Sequence, residues 1–203
     1  MIKQIDESRL SACLGVIHES FRTVADDFGL TPENCASNGA FMPLCRLRED
    51  FFKGDLMFAL YDGETAAGFM QLSKRDNDSY DMEKLAVLPQ SRHKGYGKEL
   101  IVFAKSFLFG SGAEKITVGI IEENLRLKKW YEANGFVHTG TKVFPHLPFT
   151  VGFMECILQP DSVSAECTCR FILNAEVKSR DIKITALSEN KHKGRSAGKK
   201  VTH

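Results

Sequence analysis

Val87-Leu88-Pro89-Gln90-Ser91-Arg92-His93-Lys94-Gly95-Tyr96-Gly97 is the stretch from which the fold can be read. A short apolar strand, Lys84-Leu85-Ala86-Val87, runs into Pro89, and a basic, glycine-punctuated turn follows. Beyond it Leu100, Ile101, Phe103, Ala104, Phe107 and Leu108 recur at helical spacing. A strand, a glycine turn and a helix N-terminus together form an anion site. The first helical amides have no intrahelical acceptor, and the peptide dipoles favour negative charge there. Glycines at 95 and 97 let a phosphate approach the backbone with no Cβ in the way. Arg92, His93, Lys94 and Lys98 add positive charge. The turn is expected to hold a diphosphate.

Two common phosphate motifs are excluded. A mononucleotide loop needs Gly-Lys followed by Ser or Thr, and here Gly97-Lys98 is followed by Glu99. A dinucleotide fingerprint needs a third glycine, where Leu100 stands. The pattern that fits is Arg/Gln-x-x-Gly-x-Gly/Ala after a strand ending Val-x-Pro, which resembles the pyrophosphate loop of the GNAT N-acetyltransferase superfamily. Asn124-Leu125-Arg126-Leu127-Lys128-Lys129-Trp130-Tyr131-Glu132-Ala133-Asn134-Gly135-Phe136 resembles that family's Asn…Tyr-x-x-x-Gly-Phe signature. The likeness covers about residues 1–158 and is strongest from 83 to 136.

The order of elements supports the same reading. A first strand over 2–5 precedes a helix capped at Ser8, with Leu10, Cys13, Leu14, Ile17, Phe21 and Val24 on one face. Thr31-Pro32-Glu33-Asn34 reads as a second helix start, and another helical stretch covers 44–52. Strands over 56–61 and 65–72 flank Asp62-Gly63, a hairpin signal. A strand over 80–87 feeds the basic turn and its helix. Strand 115–121, helix 124–134 and strands 136–141 and 149–158 complete the order. The expectation is an α/β (mixed α+β) GNAT acyl-CoA N-acyltransferase fold. Its central sheet of about six to seven strands would be mixed but mostly antiparallel, flanked by about four helices.

The resemblance implies acetyl-CoA as co-substrate and direct attack by a primary amine in a ternary complex. The donor would lie on Arg92, His93, Lys94, Gly95, Tyr96, Gly97 and Lys98. Its pantetheine arm would pair with Leu85, Ala86 and Val87, where an N–H near Ala86 or Val87 polarises the thioester carbonyl. Asn124 and Tyr131 stand seven apart, two helical turns, and so face the same way. Asn124 would bond the pantetheine chain, and Tyr131 would contact the donor and protonate the departing sulfur. For the base, Asp81 and Glu83 alternate onto one strand face. Histone-type relatives carry a glutamate six residues before the strand's last apolar residue, which lands on Asp81; Glu83 is two residues nearer. Water could also relay the proton, so the base is left open. His146, with Phe144, Phe149, Phe41 and Met42, is a candidate lining of the acceptor pocket. No ligand cluster suggests a metal. A non-catalytic acyl-CoA-sensing module is the alternative function; the acids at 81 and 83 together with Tyr131 speak against it.

The 203 residues suit one domain and a tail, with a net charge of +1. Residues 160–203 hold nine Lys/Arg and five Asp/Glu of the chain's 27 and 26, so the tail is basic and the body slightly acidic. The expected division is an acetyltransferase domain over 1–158 and a disordered basic tail over 159–203. The N-terminus lacks the apolar core of a signal peptide, and no apolar run approaches spanning length. A cytoplasmic location is expected, with the six cysteines as free thiols, no membrane or nucleic-acid partner and an amine, small or protein-borne, as acceptor. A homodimer is left open. Deleting residues 160–203 is expected to leave melting temperature and acetylation rate nearly unchanged. A drop of several degrees would show that Phe171-Ile172-Leu173 docks on the body.

Overall fold

The computed structural model describes residues 1–76 and 78–160, so the tail expectation falls outside the described residues apart from Gln159 and Pro160. Seven strands form one sheet: β1 (Ile2–Gln4), β2 (Leu56–Asp62), β3 (Thr65–Lys74), β4 (Ser79–Val87), β5 (Lys115–Ile121), β6 (Val137–Val143) and β7 (Thr150–Ile157). Their order is β1-β2-β3-β4-β5-β7-β6. Only the β4–β5 pair is parallel; the others are antiparallel. Four α-helices flank the sheet: α1 (Leu10–Asp27), α2 (Leu44–Phe52), α3 (Tyr96–Gly110) and α4 (Leu125–Ala133).

Alternation along the strands divides the core in two. One side joins Phe58, Leu60, Met70, Leu72, Met82, Ile116 and Val118 to the α3 stripe Leu100, Ile101, Phe103, Ala104 and Leu108. The other joins Met57, Ala59, Phe69 and Ala86 to Leu10, Cys13, Val16 and Ile17 of α1 and Leu47 of α2. Leu60, Phe69, Leu100 and Ile17 are completely enclosed. Each such side chain contributes about 1.5–3 kcal/mol through lost apolar exposure. Phe58 meets Phe103 edge-on at 4.8 Å and Phe107 at 5.2 Å, which fixes α3 against β2.

Two local expectations are corrected. The cap ahead of α1 is Asp6, whose carboxylate accepts the Ser8 amide at 2.9 Å and starts a short 3-10 turn, Glu7–Arg9. Ser8 lies inside that turn. The stretch at Thr31 makes turns, not a helix. Asn34 Oδ1 accepts from the Thr31 amide at 2.8 Å, and the Cys35 amide reaches Thr31 O at 2.9 Å. One turn closes, but Ala36-Ser37-Asn38-Gly39 supplies turn residues rather than a helical continuation.

α4 ends as its sequence proposes. Gly135 takes φ 82, a left-handed conformation a side chain resists. The Phe136 amide then reaches Tyr131 O at 3.1 Å and the Gly135 amide Glu132 O at 2.9 Å, a Schellman closure. The nearly buried Lys105 of α3 donates to Asn134 O at 2.6 Å, satisfying one more carbonyl at that helix end.

α3 and α4 approach closely at Gly97. A Cβ built there would sit 3.0 Å from Cζ2 of Trp130 and 3.3 Å from its Cη2. Gly97→Ala gains about 1 kcal/mol of helix propensity but overpacks at a cost of about 1–3 kcal/mol. We expect a net loss of about 1 kcal/mol in denaturant melts and a shifted Trp130 emission. This is the chain's one tryptophan, so the signal is unambiguous. Gly97→Ala/Trp130→Leu should regain the stability. An unchanged melt with unchanged emission would show that the ring yields freely.

Candidate functional site: a cleft where the central strands part

β4 and β5 pair only over Ser79↔Lys115, Tyr80↔Ile116 and Asp81↔Thr117. Beyond that fork both strands run on without pairing, so the β5-facing backbone of β4 from Met82 to Val87 opens into a cleft. Its volume is about 1860 Å³, larger than the usual ~300–1,000 Å³ pocket for a compact ligand. At its floor the Thr117 hydroxyl donates to the Asp81 carboxylate, which also holds Arg75 at 3.5 Å.

At the open end the chain builds an anion nest. His93 and Gly95 both adopt positive φ, 63 and 85, with Gly95 as the N-cap of α3. Glu99 is the first residue of α3 whose amide finds a helical acceptor, Gly95 O at 3.0 Å. The amides from His93 to Lys98 therefore donate to nothing among the described residues. Such a run of free N–H groups at a helix start is an anion site. Lys98 and Arg126 are among the residues that line the cleft.

Arg92 and Lys94 are placed differently from the expectation of simple phosphate contacts. The Arg92 guanidinium donates through Nη2 to Ser20 O and Thr23 Oγ1, both at 2.9 Å, and through Nε to Val87 O at 3.4 Å. It pins the loop to the last turns of α1. Partial burial, and then the charge of Arg126, hold its pKa below the usual guanidinium value. Lys94 turns outward to Asp62 Oδ2 at 3.3 Å, away from the nest. Tyr96 also bonds Asp62, which raises its phenol pKa.

Along the cleft wall, β4 carries a bulge. Gln71 faces Glu83 and Phe69 faces Ala86, two steps on β3 against three on β4. One extra residue reverses the alternation. Met82, Leu85 and Val87 pack with the α3 side of the core, while Ala86 and Leu88 pack with the α1 side. Of the two amides expected near the thioester carbonyl, that of Val87 donates to Ser20 Oγ at 3.2 Å; Ala86 lies opposite Phe69. Glu83 lines the cleft just before the bulge, with one carboxylate oxygen on Lys84 at 2.9 Å.

The opposite wall is α4. Asn124 is its N-cap, Oδ1 accepting the Leu127 amide at 3.0 Å, so only its NH₂ is free to face a ligand. Tyr131 is 6% exposed and lines the cleft two turns on. Its ring meets Trp130 at 5.0 Å and Phe136 at 5.2 Å, both edge-on. Burial raises the phenol pKa well above its ordinary value.

Around the other mouth, Met42 and Phe149 line the cleft as expected, and the Met42 carbonyl is fixed by His18 Nε2 at 2.7 Å. His146 is exposed and, like Phe144 and Phe41, lies outside the lining. Its loop instead sends Leu147 and Phe149 onto Phe41, Leu30 and Ile121. Ser20, Thr23, Lys84 and Thr117 were not singled out from sequence. Ser20 was detectable as a polar residue within an apolar helical stripe, and Lys84 as the break in strand alternation. Among the described residues no group of three or more His, Cys, Asp or Glu is placed to hold a metal ion.

Comparison with known proteins agrees with this architecture. The alanine N-acetyltransferase of ribosomal protein S18 from Escherichia coli superposes with a TM-score of 0.63 at 15% identity, over 78% of this chain and 94% of that one. A GNAT-family acetyltransferase from Staphylococcus aureus Mu50 gives 0.60 at 17%, over 78% and 99%. Spermidine N-acetyltransferase from Vibrio cholerae, solved with CoA and spermine, gives 0.60 at 18%, over 78% and 95%. At such identities the likeness establishes the fold. No curated protein matches by sequence. Residues 26–136, more than half of the chain, match the profile of the Acetyltransferase (GNAT) family. A parted central sheet, an anion nest at a helix start and that profile lead to one conclusion: the chain belongs to the GNAT acetyltransferase family.

Proposed function

We propose that the protein transfers an acetyl group from acetyl-CoA to a primary amine, both held at once in the cleft between β4 and β5. The observation that carries this reading is the open β4 edge leading to the free amides of His93–Lys98. An extended arm ending in a diphosphate fits both parts. The backbone of Leu85–Val87 would pair with the arm, and the nest with the diphosphate; Lys98 and Arg126 add charge there. Acetyl-CoA supplies the activated thioester.

The chain's own groups then divide the work. The Val87 amide, by leaving Ser20 Oγ, is a donor available to charge developing on the thioester oxygen. Asn124 offers its NH₂ to the arm. Asp81 is engaged by Thr117 and Arg75 in holding the fork. Glu83, beyond the fork, is the better proton acceptor for the incoming amine, directly or through water. Tyr131 carries a proton that burial keeps in place through neutral pH, and it faces the same cleft. A module that only bound acyl-CoA would have no use for an acid and a base on opposite walls.

The first test is release of free thiol from acetyl-CoA across a panel of primary amines: spermidine, tyramine, lysine and an alanine-led peptide. Turnover with none of them overturns the reading. Tyr131→Phe should then lower kcat roughly 10²-fold with the KM for acetyl-CoA little changed. An unchanged kcat would hand the proton to water. The raised phenol pKa also sets a pH dependence. The unfolded chain gives up this proton near the ordinary phenol value of about 10, while the folded chain retains it. Stability from this group is thus complete below about pH 10 and falls as pH climbs further. Tyr131→Phe should flatten that alkaline loss in melts taken above pH 10.

A further inference from the structure

Lys84 is one of two non-glycine residues with positive φ among the described residues, at 51, and it occupies the bulge itself. An L residue takes that conformation only when its surroundings compel it. What compels it is visible. Its ammonium donates to Asp50 Oδ2 at 3.0 Å, Gln71 Oε1 at 2.8 Å and Glu83 Oε2 at 2.9 Å, which engages all three of its protons. The Lys84 and Asp50 side chains are only 14% and 7% exposed. Gln71 is completely buried, and its Nε2 is committed to Asp55 Oδ2 at 2.7 Å and Ser73 Oγ at 3.2 Å. Its oxygen is thereby aimed at Lys84. One ammonium ties α2, β3 and β4 together at the point where β4 reverses its alternation.

Neither stability nor backbone conformation requires a lysine here. Glycine accepts φ 51 without strain. Asp50 already has Arg46 at 3.5 Å and Lys53 at 4.0 Å on its other oxygen. A buried ion pair is also a weak source of net stability. What Lys84 alone supplies is a rigid link from two buried anchors to the Glu83 carboxylate. We propose that Lys84 is a positioning residue, whose ammonium, anchored on Asp50 and Gln71, holds Glu83 at the cleft wall in the orientation that receives the acceptor's proton. The inference rests on the acetyl-transfer reading above.

The test is a set of variants assayed with acetyl-CoA and whichever panel amine the wild type turns over fastest. Lys84→Gly keeps the bulge conformation and removes the ammonium. Lys84→Gly/Asp50→Asn removes both buried charges and leaves no strained side chain at the bulge, so its melting temperature should stay near that of the wild type. Both should lower kcat at least about tenfold with the KM for acetyl-CoA within about twofold. In a Glu83→Gln background, Lys84→Gly should change kcat by less than about twofold, because the group it positions is already gone. Wild-type kcat in Lys84→Gly, or an equal loss in both backgrounds, overturns the inference. Full recovery of kcat in the stable double variant overturns it as well, since Lys84 would then only neutralise Asp50. A wild type that acetylates no amine overturns the acetyltransferase reading and this inference together, whereas turnover insensitive to Lys84 overturns this inference alone.

Discussion

A strand in the middle of a sheet must satisfy its backbone on both sides, and β4 does so on one side only. It pairs with β3 along nearly its whole length but with β5 only as far as Asp81. Buried N–H and C=O groups without partners are costly, so an interior edge of this kind is stable only as a wet cleft or as a binding site. The rest of the molecule is arranged around that edge. α3 and α4 cover one face of the parted region, and α1 with α2 covers β4 from the other. The free amides of α3 stand at the open end, where Arg92 fastens the loop to α1.

The bulge at Lys84 is the second constraint. Without an extra residue, the face that presents Glu83 would also carry Leu85 and Val87 toward α1, and Ala86 would face α3. With it, the strand presents a carboxylate before the bulge and still packs both cores after it. The polar cluster of Lys84, Asp50, Gln71, Asp55 and Ser73 occupies the space where that reversal leaves no regular ladder. A fully hydrogen-bonded polar cluster of this kind specifies geometry more than it adds stability.

α4 shows the same economy at a helix. Its N-cap, Asn124, begins the helix and keeps an amide for the cleft. Its C-terminal closure at Gly135 returns the chain onto Tyr131, where Phe136 packs edge-on against the phenol ring. Lys105 reaches across from α3 to the same end. The orientation of Tyr131 is therefore set from both ends of a nine-residue helix. Motif and structural element coincide there.

Much of this was local, and local features are legible in a sequence. The basic glycine turn, the strand before it, the helix after it and the Asn…Tyr-x-x-x-Gly-Phe helix depend on spacing, caps and left-handed glycines, which act within a few residues. Hence the order of strands and helices, the mixed sheet and the nest at 93–98 could all be read from the chain. Even the bulge left a trace, since Met82, Leu85 and Val87 break the period of two. The misreadings within the site have a common cause. Arg92 read as a phosphate ligand because its partners Ser20 and Thr23 lie some seventy residues away on α1. Lys84 passed unnoticed because a lysine on a strand is usually solvated, and only tertiary packing brings Asp50 and Gln71 around it. His146 looked like a pocket residue until its loop was seen to send Leu147 and Phe149 inward instead. The sequence by itself determined most of the elements and the glycine turn at 93–98 whose amides the fold leaves free. Which charged side chains face the cleft, and which serve to hold it open, was decided only by long-range packing, because a charge declares its role only through the partner that the fold puts beside it.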